Sequence, residues 1–152
     1  NMMKRMHLHV SVDDLNKSIG FYSSLFGAKP TTQKIDYAKW MLDNPLVNFA
    51  ISKRSAIPGL DHIGIQVENE SELSEIKQRL KAAELSMITQ EGTTCCYSKS
   101  DKHWVQDPSG IAWETYQTLD SSPTFSNDES SKQAGGACCA PPAQHVQFIS
   151  RM

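Results

Sequence analysis

Hydrophobic and polar positions alternate strictly near the start of the chain. Between residues 6 and 12, aliphatic residues hold one parity, while His7, His9 and Ser11 hold the other. A period of two predicts a β-strand whose neighbouring side chains point to opposite faces. We therefore expect one face of this strand in the core and the other in a polar cleft.

An amphipathic helix is predicted to follow the strand. Asp13 and Asp14 offer an N-cap, and Gly27 suits the left-handed position just beyond the C-terminus. Between them, apolar residues recur at the spacing of one helix face. These residues are Leu15, Ile19, Tyr22, Leu25 and Phe26.

The same pattern then returns 55 positions later. Residues 61–67 align with residues 6–12 without a gap, and His62 falls on His7. A second amphipathic helix follows Asn69, which with Glu72 forms a capping-box signature. Further strands are predicted at residues 37–42, 46–52, 95–99, 102–106 and 111–116.

This repeat predicts an α+β fold of two tandem βαβββ modules. We expect one domain over residues 4–119, with modules at about 4–54 and 60–119. Residues 120–144 are too polar and too small to form a core, which predicts a flexible tail over residues 120–152. Residues 145–152 could still form a short strand or helix. The sequence leaves open whether the modules pair within one chain or between two chains. Pairing between two chains would form a homodimer.

Four cysteines form two adjacent pairs, Cys95 with Cys96 and Cys138 with Cys139. Adjacent cysteines are poor disulfide partners, because their Cα atoms lie only ~3.8 Å apart. On a bend, which Gly92 could supply, the first pair could bind a soft centre such as trivalent arsenic, cadmium or zinc. The alternative is two small buried residues. The tail pair is either incidental or a mobile site that captures a soft ion.

A metal site is predicted where the polar faces of the two modules meet. His7 and His62 occupy equivalent first-strand positions, and Glu114 lies on the last strand of the second module. Two imidazoles with one carboxylate form a facial triad that suits Fe(II), with Ni, Co and Zn as other metals it could hold. His9 shares the parity of His7 and could orient a ligand. Lys102 could favour a thiolate or contact an anionic substrate, or could simply be solvated.

Composition narrows the partners. The chain has 152 residues, 39% of them hydrophobic and 21% charged, with a formal net charge of −2. The sequence has no basic run of the kind that would predict binding to nucleic acid or to an anionic membrane. No apolar run approaches the ~20 residues of a membrane span, and no export signal precedes the first strand. We expect a cytoplasmic protein with a small-molecule partner.

These motifs resemble a known family. The doubled module with its first-strand histidine, the run from Val12 to Leu15, the Phe21-Tyr22-Ser23 segment and the Asp107–Gly110 turn before Glu114 are similar to the vicinal oxygen chelate superfamily. This is the fold of glyoxalases and extradiol dioxygenases, and the resemblance covers roughly residues 5–119.

A narrower resemblance lies in the second module. The Glu91–Tyr97 segment, followed by Asp101-Lys102 and Trp104-Val105, is similar to the carbon-arsenic lyase branch, which includes proteins named cadmium-induced. The resemblance implies Fe(II)- and dioxygen-dependent cleavage of trivalent organoarsenicals, methyl or aromatic, to arsenite, and hence arsenic resistance.

The resemblance also implies roles for individual residues. His7, His62 and Glu114 would hold the iron, although some members of the branch have glutamine at the first position. Cys95 and Cys96 would bind arsenic, and the residue that would lie near the substrate is Lys102.

Two other functions fit the same fold. One is a binding protein that sequesters cadmium, arsenic or a drug without turnover. The other is a glyoxalase or an extradiol dioxygenase, neither of which requires adjacent cysteines. Residues 46–51, the closing strand of the first module, carry no carboxylate. This argues against the four-ligand isomerase.

Overall fold

The computed structural model describes residues 3–95 and 97–121. Within these ranges the chain forms two helices and one eight-stranded sheet, so the predicted α+β class with two βαβββ modules is confirmed. The elements are β1 (Arg5–Ser11), α1 (Leu15–Phe26), β2 (Thr32–Lys34), β3 (Tyr37–Asp43), β4 (Leu46–Ser52), β5 (Gly59–Val67), α2 (Glu70–Ala82), β6 (Ile88–Cys95), β7 (Ser98–Gln106) and β8 (Ala112–Ser121).

The sheet is pseudo-symmetric about its centre. Its strand order is β2-β3-β4-β1-β5-β8-β7-β6, so each module contributes one half. The first strands of the modules, β1 and β5, pair antiparallel, and His9 lies opposite His62. Each first strand also pairs in parallel with the last strand of its own module. The modules therefore pair within this one chain, and their first strands, β1 and β5, lie side by side.

Helix α1 begins and ends where its capping residues predict. The Asp14 carboxylate accepts a hydrogen bond from the Lys17 amide at 3.0 Å, and Gly27 adopts a φ of +63°. The inner face of α1 packs on the core of the first module. The prediction that Leu25 lies on that face is wrong, because 62% of the residue is exposed. The buried core residues are Val12, Leu15, Ala38, Trp40, Val47, Phe49 and Ile51.

Helix α2 also starts at its predicted cap. The Asn69 side-chain oxygen accepts a hydrogen bond from the Glu72 backbone amide at 2.9 Å, and the Asn69 side-chain Nδ2 donates to the Glu72 carboxylate at 3.2 Å. Leu73 and Ile76 pack against Val67 to form the smaller second core. Neither helix of the described chain has the length and apolar character needed to cross a bilayer.

The predicted strand over residues 95–99 is wrong. Strand β6 ends at Cys95, Tyr97 adopts a φ of +62°, and β7 begins at Ser98, which pairs with Cys95. The turn was missed because no glycine, proline or asparagine marks it in the sequence. The side chain of Cys95 lies outside the described part of the structure, as do residues 96 and 122–152. The predictions for both cysteine pairs and for the tail fall on these positions, and the predicted domain borders stay predictions.

The two ends of the sheet contact each other. The Tyr97 hydroxyl, between β6 and β7, donates to the Asp36 carboxylate at 2.5 Å, beside β2 and β3. The rings of Tyr97 and Tyr37 lie 5.8 Å apart. Because these residues belong to opposite edges of the strand order, the sheet must curl around the polar face of β1. This curling explains why the predicted polar cleft is closed and why His9 is fully buried.

Candidate metal centre

His7 and His62 point their Nε2 atoms at each other across the central strand pair, at 3.2 Å. The other ring nitrogens point away: Nδ1 of His7 donates to the Asn48 carbonyl at 3.1 Å, and Nδ1 of His62 donates to the Asp61 carboxylate at 2.6 Å. Since carbonyl and carboxylate oxygens only accept, each Nδ1 carries a proton. The Nε2 atoms of the two rings therefore face each other, as in paired metal ligands.

Glu114 brings a carboxylate to the same point. Its Oε2 lies 3.4 Å from His62 Nε2, and its Oε1 lies 3.6 Å from Lys102 Nζ. Glu114 and Lys102 are 4% and 3% exposed, and Oε2 has no hydrogen-bond partner among the described residues. An unpartnered buried carboxylate oxygen is rare, because burying it without a partner costs free energy. It suits a cation that would complete the site.

Electrostatics keep His7 and Glu114 in forms that bind cations. Burial lowers the pKa of His7 to about 4, against an opposing effect of Glu114. Burial alone would raise the pKa of Glu114, but Lys102 and the two histidines outweigh it and lower this pKa. Burial also acts to lower the pKa of His62, but its hydrogen bond to Asp61 and its contact with Glu114 raise it. At neutral pH the site therefore presents a neutral His7 and an ionised Glu114.

His9 lies beside this group. Its ring centroid is 5.0 Å from that of His62, and its Nε2 forms a hydrogen bond with the Ser52 hydroxyl at 2.7 Å. His7, His9 and His62 each offer a ligand atom within 4.8 Å of the others, so these three histidines could hold a metal ion. Two donor sets thus share His7 and His62, and differ in whether the third ligand is Glu114 or His9.

Strand register shows what the first module offers at the position of Glu114. Glu114 lies opposite Gly64, two residues beyond His62. The corresponding residue is Ala50, which lies opposite His9, two residues beyond His7. Alanine has no donor atom, so the first module supplies no fourth ligand at this position. A metal held here would keep open coordination positions.

Lys102 lies between the carboxylate and two aromatic rings. Its Nζ is 5.8 Å from the ring centroid of Trp104 and 5.9 Å from that of Tyr116. The structure thus brings together four of the predicted site residues. These are His7, His62, Glu114 and Lys102.

The predicted thiol ligands lie outside the described part of the structure, but Tyr97, which follows them in the chain, lies within it. The ring of Tyr97 contacts that of Tyr37, whose centroid lies 6.1 Å from that of His9. Tyr97 therefore lies next to the closed side of the cleft. The distance from Cys95 and Cys96 to the histidines stays a prediction.

Asp61 is a site residue that the sequence analysis missed. Alternation places the neighbour of a strand residue on the opposite face, so Asp61 was not expected beside His62. The β1–β5 register shifts here, since His9 pairs with His62 while Val10 pairs with Leu60. Asp61 is the extra residue of this bulge, and an acidic residue directly before the predicted ligand was the only signal in the sequence.

Known proteins similar to this chain are found at the level of family and of individual relatives. The family model described as Glyoxalase/Bleomycin resistance protein/Dioxygenase superfamily matches residues 4–115. A "Trivalent organoarsenical cleaving enzyme" of Bacillus sp. (strain MD1) is 44% identical over 119 residues, covering 76% of this chain and 74% of that protein. A "Probable trivalent organoarsenical cleaving enzyme" of Bacillus subtilis is 37% identical, covering 95% and 96%. A "Cadmium-induced protein CadI" of Mycobacterium bovis is 36% identical, covering 90% and 93%.

Solved structures share the fold. Homoprotocatechuate 2,3-dioxygenase from Arthrobacter globiformis aligns with a TM-score of 0.61 at 15% identity, over 86% of this chain and 41% of that one. A Mn(II)-bound glyoxalase from Novosphingobium aromaticivorans aligns with a TM-score of 0.57 at 14% identity, over 83% and 43%. At these identities the likeness concerns the fold alone.

Proposed function

The chain belongs to the glyoxalase/bleomycin resistance protein/dioxygenase superfamily, and from this premise we propose that it is an Fe(II)- and dioxygen-dependent carbon-arsenic lyase. It cleaves trivalent organoarsenicals to arsenite. The observation that carries the proposal is the convergence of His7, His62 and Glu114 in one buried site, in a chain whose relatives are named organoarsenical cleaving enzymes.

The donor atoms fit Fe(II). Two imidazole nitrogens and one carboxylate form the set that non-haem iron enzymes use. We favour Glu114 over His9 as the third ligand, because Glu114 Oε2 has no hydrogen-bond partner in the described chain while His9 Nε2 is bonded to Ser52. A carboxylate also offsets the charge of a divalent cation. Iron supplies the redox chemistry towards dioxygen that protein side chains lack.

The chain's own residues would bind and orient the substrate. Thiolates of Cys95 and Cys96 bind trivalent arsenic, and the contacts of Tyr97 with Asp36 and Tyr37 support a position at the cleft. Lys102 sits beside Glu114, where it can hold an anionic oxygen of the substrate. Fixing both reactants in one closed site supplies proximity and excludes water.

The overall reaction balances without a further reductant. Methylarsonous acid and dioxygen contain the atoms of arsenous acid and formaldehyde. The methyl carbon loses four electrons, dioxygen gains four, and arsenic stays trivalent. Formaldehyde should therefore form in equal amount to arsenite.

Purified protein reconstituted anaerobically with Fe(II) tests the function. On exposure to air it should release arsenite and formaldehyde from methylarsonous acid, and without air or iron it should release neither. Separation of arsenic species by chromatography, with mass detection, measures the products. Equal release with and without dioxygen would overturn the proposal.

A second candidate is sequestration without turnover, favoured by the similarity to a protein named cadmium-induced. This function predicts stoichiometric binding of Cd(II) or methylarsonous acid, with the same result in air and under nitrogen. Recovery of intact methylarsonous acid after aerobic incubation with the iron-loaded protein would favour it.

Replacing Cys96 with serine should remove arsenite release and leave iron binding unchanged. Serine keeps the size of the side chain but lacks the soft sulfur that binds trivalent arsenic. Arsenite release and Fe(II) content, measured on the same preparation, check this expectation. Cys138→Ser is the matched control, with release expected near the wild-type value, and wild-type release from Cys96→Ser would exclude the adjacent pair from the reaction.

A further inference from the structure

Asp61 owes its place to the bulge in β5. As the extra residue between Leu60 and His62, it directs its carboxylate to the same side as the His62 ring. Its Oδ2 accepts a hydrogen bond from His62 Nδ1, and the two atoms lie 2.6 Å apart. Such short contacts are typical of hydrogen bonds with an ionised partner. The bulge thus aims one particular acceptor at one particular ring.

Arg54 holds the far side of this carboxylate. Its Nη1 lies 3.4 Å from Asp61 Oδ2, and its side chain is only 4% exposed. None of its guanidinium nitrogens has a hydrogen-bond partner among the described residues. Within the same ranges, Asp61 is its ion-pair partner. A buried charge with a single partner costs much free energy if that partner leaves. Arg54 and Asp61 are therefore held together.

The two metal-facing histidines are fixed in different ways. Nδ1 of His7 donates to the backbone carbonyl of Asn48, which no side-chain substitution removes. His62 depends on the side chains of Asp61 and Arg54 instead. Changes at these two positions should therefore act on one ring of the pair.

We propose that Arg54 and Asp61 are positioning residues, which hold the His62 ring with Nδ1–H towards Asp61 and Nε2 towards His7 and Glu114. For its effect on the metal, this inference rests on the site proposed above. Carboxylates that accept the free N–H of a ligating histidine fix its tautomer and increase its basicity. Arg54 acts through Asp61, by holding the carboxylate in place.

Two readouts on the full chain test the proposal. Ring ¹⁵N NMR of the metal-free protein should show neutral His62 as the Nδ1–H tautomer, and Asp61→Ala should shift it towards Nε2–H. Anaerobic Fe(II) titration should show weaker binding in Asp61→Ala by about 10- to 100-fold. Asp61→Asn keeps an oxygen that can accept the proton, so it should recover part of both properties.

Asp43 provides a matched control outside the proposed metal site. Asp43 forms an ion pair with Arg5 at 2.6 Å, and its side chain is 88% exposed. Asp43→Ala removes the same groups from an arginine pair outside the site. It should leave the His62 tautomer unchanged and keep Fe(II) affinity within about twofold of wild type.

The role of Arg54 is tested by substituting it alone and together with Asp61→Ala. Arg54→Met alone should weaken Fe(II) binding, and it should add little once Asp61 is alanine, because it acts through that residue. The double variant also removes the unpaired buried charge, so it gives a folded protein if Asp61→Ala unfolds. A wild-type tautomer together with wild-type affinity in the double variant would overturn the proposal.

The same data separate this inference from the proposed function. If wild-type protein binds no Fe(II), the metal site fails, and the tautomer of His62 alone decides the positioning role. If Asp61 variants lower thermal stability while the tautomer stays unchanged, their role is merely structural and the inference is overturned.

Discussion

Replacing His62 with alanine should weaken Fe(II) binding by more than about 100-fold and abolish arsenite release. His62 Nε2 is the atom that both other proposed ligands approach, at 3.2 Å from His7 Nε2 and 3.4 Å from Glu114 Oε2. Loss of a contact outside the ligand set costs about 10- to 100-fold in affinity, and loss of a ligand itself should cost more. Anaerobic titration and the arsenite assay measure the two effects.

His103→Ala is the matched control. His103 is also buried, at 5% exposure, and its Nδ1 contacts the Thr89 hydroxyl at 3.1 Å. It lies between Lys102 and Trp104 in β7, so its side chain points to the opposite face of the sheet. Both substitutions remove a buried imidazole, but only one should change metal affinity.

The two variants separate ligand loss from general destabilisation. Equal loss of affinity in His62→Ala and His103→Ala would mean that metal binding depends on the fold rather than on His62. Full affinity in His62→Ala would exclude it as a ligand. Thermal unfolding measures how far each substitution destabilises the protein, so the losses of Fe(II) affinity can be compared with the losses of stability.

The histidine pair was predictable because it follows from symmetry. Alternation predicted a polar face for the first strand of each module, and the repeat placed His7 and His62 at equivalent positions. Pairing of equivalent strands about a central axis brings such residues together, as the contact of 3.2 Å between their Nε2 atoms shows. Glu114 does not follow from symmetry, since the corresponding residue is Ala50. It was predicted as the carboxylate on the closing strand of the second module.

Residues that depend on irregular backbone were not predictable. Asp61 reaches His62 only because a bulge cancels the alternation, and nothing in the sequence pattern marks a bulge there. Arg54 was missed for a related reason, since it lies two residues beyond β4 and outside every predicted strand. Its contact with Asp61 depends on where the chain turns, which periodicity does not describe.

The closure of the cleft could not be predicted from the sequence either. The contact between Tyr97 and Asp36 joins residues 61 positions apart, from opposite edges of the sheet. It arises from the curl of eight strands together, a property that no single strand carries. For the same reason the sequence predicted a polar cleft but not that its polar side chains would be buried.

Gly64→Ala should destabilise the protein by roughly 2 kcal/mol or more and weaken Fe(II) binding as well. Gly64 lies opposite Glu114 in the parallel pair of β5 and β8. A Cβ at this position would overlap the Glu114 backbone carbonyl oxygen and lie 3.2 Å from the Glu114 Cβ. The obstacle is backbone in the middle of a sheet, so relief requires β8 to move away from β5. That movement would carry the Glu114 carboxylate away from His62.

Gly20→Ala is the control, and its effect should have the opposite sign. Gly20 lies inside helix α1, and a Cβ there would meet nothing within 4 Å. Alanine in an exposed helix interior stabilises by about 0.5–1 kcal/mol relative to glycine, because glycine loses more backbone freedom on folding. Urea denaturation of both variants, with Fe(II) titration of the folded protein, gives the comparison. A Gly64→Ala protein as stable as wild type would show that β5 and β8 are not held as closely as the register requires, and that Glu114 does not owe its position to this glycine.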